Sequence, residues 1–340
     1  MGFCGTPQFA VPSLQYLLQQ LDFEVVGVFT QPDRPKGRGQ EIGFSPVKEV
    51  ALAAKLPLHQ PVKVRAPEIE EQLRALAPDV VVIIAYGQII PARLLTIPKL
   101  GWINLHASLL PKYRGAAPIN WAIVHGETRT GNTTMRIDAG MDTGEILLQE
   151  ELAIGPEETA PELAKSLAEA GAPLMANTLR ALAEGTLPGR PQDDAAASLA
   201  PILRREDGRI DWARSADEIY NRMRGFASWP GAYTDFRGQI CHLWGKPVSK
   251  EDDVQRVGEG FSGKSGGPSA LRVNKPPHSK TKAEAAPGEL LASSGGLRVV
   301  CGQGSVLELT SVKLEGRKEV SAVEFARGAR LQAGERLGKA

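Results

Sequence analysis

The apolar run at 80–85 (VVVIIA) constrains the fold of this chain more than any other segment. A continuous β-branched stretch of this kind predicts a strand buried on both faces, the condition of a strand inside a parallel sheet covered by helices. Segments around it repeat the theme. Residues 24–30, 102–106, 133–138 and 145–152 read as strands. Residues 47–56, introduced by Ser45-Pro46, and 67–76 read as helices, with Ser45 as the cap and Pro46 in the first turn. Thr159 caps a longer helix whose Leu163, Leu167, Leu174 and Leu182 fall on or near one stripe. Strands spaced by helices predict an α/β fold, a Rossmann-like open sheet. Only Met1 to Cys4 precede the turn Gly5-Thr6-Pro7, so the first strand is expected either to be short or to have a truncated start. That turn is neither a dinucleotide fingerprint nor a phosphate loop, so no nucleotide cofactor is expected there.

At 340 residues the chain suits two domains. Residues 1–184 are expected as the catalytic domain. A Pro-, Gly-, Ala- and Asp-rich stretch follows, and 185–204 is read as a linker. Beyond it the pattern changes to a helix at 213–226 and short strands at 232–236, 239–244, 297–301 and 305–314, with Arg237-Gly238 turning the first pair. A closing helix is expected at 321–331. Such strands predict a smaller C-terminal β-barrel domain over 205–335. It is interrupted at 250–287 by a stretch rich in Gly, Ser, Pro and Lys, read as a mobile loop.

A hydrophobic fraction of 42% and a charged fraction of 23% place the chain among ordinary globular proteins rather than disordered or membrane ones. No run approaches a membrane span and no signal peptide is visible. Three scattered cysteines (Cys4, Cys241 and Cys301) and five scattered histidines predict a reducing, cytoplasmic setting and no metal site. The net charge of +1 conceals an asymmetry: residues 201–340 hold 23 Lys and Arg against 17 Asp and Glu, or +6, leaving −5 on the rest. A positive second half mildly favours a polyanionic partner over chance.

The chemistry is concentrated in two segments. Asn104 and His106 lie two apart at the end of a predicted strand, so their side chains share a face. Asp142 sits in a Gly-flanked turn after a second apolar run. An amide to hold an oxygen, an imidazole to polarise it and a carboxylate beside them suit acyl transfer. Taken singly, each of these residues is better read as an ordinary polar side chain at a strand end or turn; their spacing and the Ser-Leu-Leu-Pro that follows reverse that reading. A second group is the loop 31–40 (QPDRPKGRGQ), whose Arg34, Lys36 and Arg38 are spaced by Pro and Gly, with Lys48 beyond. Such a loop reads either as a solvated connector or as a cationic finger for phosphates.

The segment 104–118 (NLHASLLPKYRGAAP) together with 138–144 (DAGMDTG) resembles the signature of the folate-dependent formyltransferases. Segments 5–14 (GTPQFAVPSL), 29–39 (FTQPDRPKGRG) and 85–91 (AYGQIIP), with Asp211-Trp212, are similar to those members of the family that act on an aminoacyl-tRNA. The resemblance runs from Phe3 to about Trp229, and more loosely to the end. It implies transfer of a formyl group from 10-formyltetrahydrofolate, a substrate and not a permanently bound cofactor, to the α-amine of methionine carried on initiator methionyl-tRNA. By the same resemblance, Asn104 donates to the formyl oxygen, His106 stabilises the oxyanion, and Asp142 orients His106 and moves protons. Ser108, Leu109, Leu110 and Pro111 correspond to a folate-binding stretch, and Tyr86, Gln88, Ile89 and Ile90 to the other wall of the pterin pocket. Without the resemblance, plain core packing is the better reading of Leu109, Leu110, Ile89 and Ile90.

In the family the loop carrying Arg34, Lys36 and Arg38 meets the acceptor stem of the tRNA, and the second domain is an OB-like barrel that also contacts tRNA. Arg222, Arg224, Arg237, Lys246 and Lys313 are candidates there, with Trp229, Phe236 and Trp244 expected in the core. No membrane partner is expected, and the chain is expected to be a monomer. The sequence departs from the pattern at its short first strand, at Ala107 where glycine is common, and at the long 250–287 loop. Two alternatives share part of this equipment. A formyltransferase acting on a small amine, such as a sugar nucleotide or glycinamide ribonucleotide, would keep Asn104, His106 and Asp142 but lack the basic loop. A non-catalytic tRNA-binding protein has no need of the trio.

Overall fold

In a computed structural model the described residues are 1–36, 41–248, 285–293 and 296–338. They divide into two compact units, Met1–Ile123 with Glu127–Leu203, and Val124–Gly126 with Arg204–Ala340.

In the first unit the strands are β1 (Gly2–Gly5), β2 (Gly27–Phe29), β3 (Arg34–Lys36), β4 (Glu41–Gly43), β5 (Leu58–His59), β6 (Val81–Ile84), β7 (Trp102–His106), β8 (Arg129–Arg136) and β9 (Ile146–Ala153). Seven of them form one sheet in the order β5-β2-β1-β6-β7-β8-β9. The run at 80–85 supplies β6, buried throughout between parallel β1 and β7. Although it has only four residues, β1 is also an interior strand, with parallel neighbours on both sides and every residue buried. The strand expected at 24–30 shrinks to β2, the stretch that its neighbours β1 and β5 can pair. From β7 onward the sheet turns antiparallel. The connection from β8 to β9 is too short for a parallel crossover, which needs about a dozen residues or more, so a hairpin is the only solution.

The helices are α1 (Val11–Gln19), α2 (Pro46–Ala53), α3 (Pro67–Leu76), α4 (Ala92–Leu95), α5 (Pro118–Val124) and α6 (Ala160–Ala183). The Ser45 side chain accepts from the Lys48 backbone N–H at the start of α2. A reciprocal Thr159–Glu162 capping box starts α6. The four leucines of the α6 stripe, Leu163, Leu167, Leu174 and Leu182, are all buried. Alternation along the strands divides the core. Phe3, Val82, Ile84, Ile103 and Leu105 pack with residues of α1 and α6, while Cys4, Val81, Ile83 and Trp102 pack with residues of α3 and α4. The chain leaves β1 toward β2 on one side and returns to β6 on the other. That reversal opens a crevice at the carboxyl ends of the strands.

In the second unit α7 (Ala216–Gly225) precedes β10 (Tyr233–Phe236), β11 (Gln239–Pro247), β12 (Leu290–Ser293), β13 (Gly296–Val300), β14 (Val306–Leu314), β15 (Val320–Ser321) and α8 (Ala322–Ala329). The strands form an antiparallel OB-like sheet in the order β10-β11-β14-β13-β12, with β15 paired to β14. Arg237 and Gly238 both have positive φ, 49° and 79°, as a two-residue hairpin turn requires. Phe236 meets Phe325 edge-on at 5.0 Å in a core shared with Trp212, Met223, Leu243 and Leu307. Strand β12 was not expected from sequence. Nearly all of the loop expected at 250–287 lies outside the described residues. Among the described residues no helix is long and apolar enough to cross a membrane, and no group of three metal-ligating side chains occurs.

Candidate active site

A cleft of about 790 Å³ opens at the strand-order reversal. Its floor is the end of β7. Asn104 and His106 both line it, as their spacing on the strand requires, and Asp142 reaches it from the β8–β9 hairpin. The Asn104 amide makes no hydrogen bond within the described residues, so both its donors are available to a ligand. His106 is 6% exposed. Its Nε2 stands 2.8 Å from the carbonyl oxygen of Tyr113, which can only accept, so Nε2 carries a proton. Nδ1 faces the Asp142 carboxylate at 3.7 Å. The bond that fixes the ring therefore comes from the Tyr113 backbone, a partner the sequence gives no sign of.

Asp142 is held separately. Its Oδ2 accepts from the Gly115 N–H at 2.8 Å. Gly115 has φ +119°, and a Cβ there would come within 2.7 Å of the Ala200 carbonyl oxygen, so glycine alone brings this N–H to the carboxylate. At the end of the same turn a Cβ on Gly144 would overlap the Arg136 carbonyl oxygen at 1.9 Å. Three non-glycine residues around the cleft adopt left-handed backbone: Ala85 (φ 46°), Tyr113 (φ 63°) and Asp142 (φ 55°). Each such residue costs about 1–2 kcal/mol, and strain of this kind concentrates where the surroundings hold a functional geometry.

Two apolar walls flank the trio. Ile83, Ile90 and Ile137 belong to the cluster that packs with α3 and α4; Phe9 and Ile119 belong to a cluster with Tyr113, Ile123 and Leu163. Residues 85–90 line the cleft. Ile89 stands 91% exposed and Ile90 is buried, while Gln88 is tied down by the Val64 N–H (2.6 Å) and the Pro61 carbonyl (3.2 Å). The Tyr86 side chain is buried, and its backbone carbonyl accepts from Thr6 Oγ1 at 3.2 Å and Gln31 Nε2 at 3.0 Å.

The stretch expected to bind folate is tied into the fold beside the site. None of Ser108, Leu109, Leu110 and Pro111 lines the cleft. Ser108 is fully buried and donates to the Lys112 carbonyl at 2.6 Å, and Leu110 packs on Met135 and Ile146. Thr133 and Gln149 satisfy the backbone of this loop from β8 and β9. A buried loop must find such partners; Leu109 and Pro111 are half-buried. Ile137–Met141 line the cleft, with Met141 exposed at the rim.

The basic loop is the hairpin β3–β4, with Arg34 opposite Gly43 and Lys36 opposite Glu41. Arg34 is exposed, and Arg38 lies outside the described residues. Lys48 is no surface cation. It is buried against Asp33, donates to Gln60 Oε1 at 2.9 Å and lies over the Phe44 ring.

In the second unit, Arg224 is buried beside Asn221 and Tyr220, and Arg237 is paired with Glu335 (Nη2 to Oε2, 2.9 Å). Lys313 is exposed beside a cavity of about 290 Å³ lined also by Pro230, His242 and Trp244. Phe236 is in the core as expected. Trp229, expected there too, is 51% exposed, because it sits in the turn after α7.

Residues 3–179 match the formyl transferase family, and residues 202–330 match its C-terminal domain. A protein of Acidobacterium capsulatum named methionyl-tRNA formyltransferase is 49% identical over 337 residues, 99% of this chain and 98% of the relative. Another so named, from Solibacter usitatus, is 49% identical with the same coverage, and one from Geobacter sulfurreducens is 44% identical over 99% of this chain and 96% of its own. Among solved structures, an N-formyltransferase of Helicobacter canadensis in complex with folinic acid and dTDP-3-aminofucose superposes with a TM-score of 0.61 at 18% identity, covering 91% of this chain and 97% of its own. A sugar 3N-formyl transferase solved in the presence of dTDP and 5-N-formyl-THF gives 0.59 at 17%, covering 93% and 98%. These two likenesses are of fold.

Proposed function

Because the chain belongs to the methionyl-tRNA formyltransferase family, we propose that its cleft joins the α-amine of methionine on initiator methionyl-tRNA to the formyl group of 10-formyltetrahydrofolate. The observation that carries this reading is the convergence of Asn104, His106 and Asp142 on one cleft, in a chain 49% identical to named methionyl-tRNA formyltransferases along nearly its whole length. The small-amine and non-catalytic alternatives lose ground to the same observation.

The attacking group is the substrate's own amine, so the enzyme needs no covalent nucleophile. The amine nitrogen bonds to the formyl carbon, and the carbonyl electron pair moves to oxygen. Asn104, with its free amide, donates to that oxygen. One well-aimed donor of this type is worth about 2.7–4 kcal/mol. His106 donates from Nε2 to Tyr113, and its Nδ1 edge, turned to Asp142 at 3.7 Å, flanks the path of the proton between amine and carboxylate. Asp142, held by the Gly115 N–H, takes a proton from the attacking amine. As the tetrahedral intermediate collapses, the bond from carbon to the folate nitrogen breaks and that nitrogen receives the proton. The apolar wall of Ile83, Ile90 and Ile137 suits the flat pterin. Arg34, Lys36 and Arg38 meet the phosphates of the acceptor stem.

The test is formyl transfer from 10-formyltetrahydrofolate to charged initiator methionyl-tRNA, free methionine and a UDP-aminosugar. Transfer to the charged tRNA alone is expected. Preferential transfer to the aminosugar, or none to the tRNA, overturns the reading.

A further inference from the structure

The stretch 185–204, read from sequence as a linker, belongs to the first unit as far as Leu203. It is laced to the loops that carry the cleft. Arg190 exchanges backbone hydrogen bonds with Ile146, both 2.8 Å. The Ser198 carbonyl and the Ala200 N–H bond the backbone of Arg114 at 2.8 and 2.7 Å, and Ser198 Oγ accepts from the Tyr113 N–H at 2.9 Å. Between these points stands Gln192, whose side-chain amide is fully used. Its Nε2 donates to the carbonyl oxygens of Asp142 and Gly144, both at 2.8 Å. Its Oε1 accepts from Arg114 Nε at 3.0 Å and Nη2 at 2.8 Å. Two carbonyls can only accept and a guanidinium can only donate, so the amide has a single satisfied orientation. Arg114 is 7% exposed, and its guanidinium is set by Asp194 at 2.8 Å.

We propose that Gln192, aimed by Arg114, is a positioning residue for formyl transfer: it pins the strained turn that presents the Asp142 carboxylate to His106 and the cleft. The proposal rests on the catalytic reading above. The strain supplies the reason for the device. Asp142 has φ 55°, a conformation that a free turn would relax. Gln192 clamps the backbone on both sides of Thr143, while Gly115, next to Arg114, clamps the carboxylate. Both clamps thus lead back to the Arg114–Gly115 dipeptide, and backbone and carboxylate of Asp142 are registered to a single support. A displacement of about 1 Å at a reacting group can cost 10²-fold in rate without loss of binding.

The test uses the full chain and steady-state formylation of methionyl-tRNA. Gln192→Leu is expected to lower kcat about 10- to 100-fold, with KM for the folate donor and for the tRNA each within about twofold of the parent. In an Asp142→Asn background the same change should have almost no further effect, because the group it positions no longer accepts the proton. If Gln192→Leu proves poorly folded, Arg114→Lys, which keeps the charge facing Asp194 but loses the two-pronged bond to Gln192, is expected to show the same split on a smaller scale. A loss confined to KM, or an equal loss with and without the Asp142 carboxylate, overturns the proposal. Inactivity of the parent chain toward methionyl-tRNA would instead overturn the function proposed above, so the two failures are distinguishable.

Discussion

Asn104 is the side chain whose contribution can be isolated most cleanly. It lines the cleft, no other described residue bonds its amide, and removing the amide leaves no buried partner stranded. Asn104→Ala is therefore expected to lower turnover by about 10²–10³ while leaving the melting temperature and both substrate affinities nearly unchanged; steady-state kinetics beside a thermal melt checks this. Asn104 and His106 were legible because a strand has a period of two, and any strand there puts both on one face. Asp142 was legible as a carboxylate in a Gly-flanked turn. The Tyr113 carbonyl and Gln192 were not. A backbone oxygen has no residue identity, and a glutamine in a Pro- and Asp-rich stretch belongs to no periodic pattern. Leu109 and Leu110 carry a related ambiguity: apolar residues beside a site look alike from sequence whether they face the ligand or the core behind it.

Elements whose boundaries are set by local chemistry matched the sequence reading most closely. The Ser45 and Thr159 caps and the Arg237-Gly238 turn are short-range signals, and each helix or hairpin begins where its signal lies, whereas the helix expected from 213 starts only after the Ser215 cap. Strand ends set by neighbours, such as those of β2, did not match, since pairing is decided by residues far away in sequence. The cap of α7 yields a stability prediction. Ser215 Oγ accepts from the Glu218 N–H at 3.2 Å, and Glu218 accepts in return from the Ser215 N–H at 2.9 Å. Ser215→Ala is expected to destabilise the second unit by about 1 kcal/mol, seen as a lower denaturation midpoint. The bonds from the Ser215 N–H and hydroxyl hold the Glu218 carboxyl below its ordinary value of 4.5. Their contribution is therefore complete above that pH and disappears as pH falls through the lower folded value, so the penalty of Ser215→Ala should shrink in the same acid range. Lys48 gives a second test. Lys48→Met removes the cation from Asp33 but takes none from the surface. It is expected to lower the urea midpoint while leaving the salt dependence of tRNA use unchanged. A changed salt slope would return Lys48 to the RNA-facing cations.

Across the whole molecule, charge is divided as it would be for a polyanionic substrate, +6 on residues 201–340 against −5 before them. The total matters less than which cations are free. Arg224 and Arg237 are engaged internally, whereas Lys313 is exposed beside a cavity and Trp229 stands in solvent nearby in sequence to its lining. Lys313→Ala is expected to raise KM for tRNA and to reduce the slope of log KM against log salt by about one contact. Trp229→Ala should raise KM by an amount equivalent to about 1–3 kcal/mol if a base stacks there; neither change should affect KM for the folate donor. The strap from Arg190 to Ala200 has a consequence for recombining the two halves of such enzymes. A chimera spliced at residue 184 would set one parent's glutamine clamp against the other parent's aspartate turn, whereas a splice after Leu203 transplants turn and clamp as one inheritance. The natural seam for domain exchange lies about twenty residues downstream of the place where the composition changes.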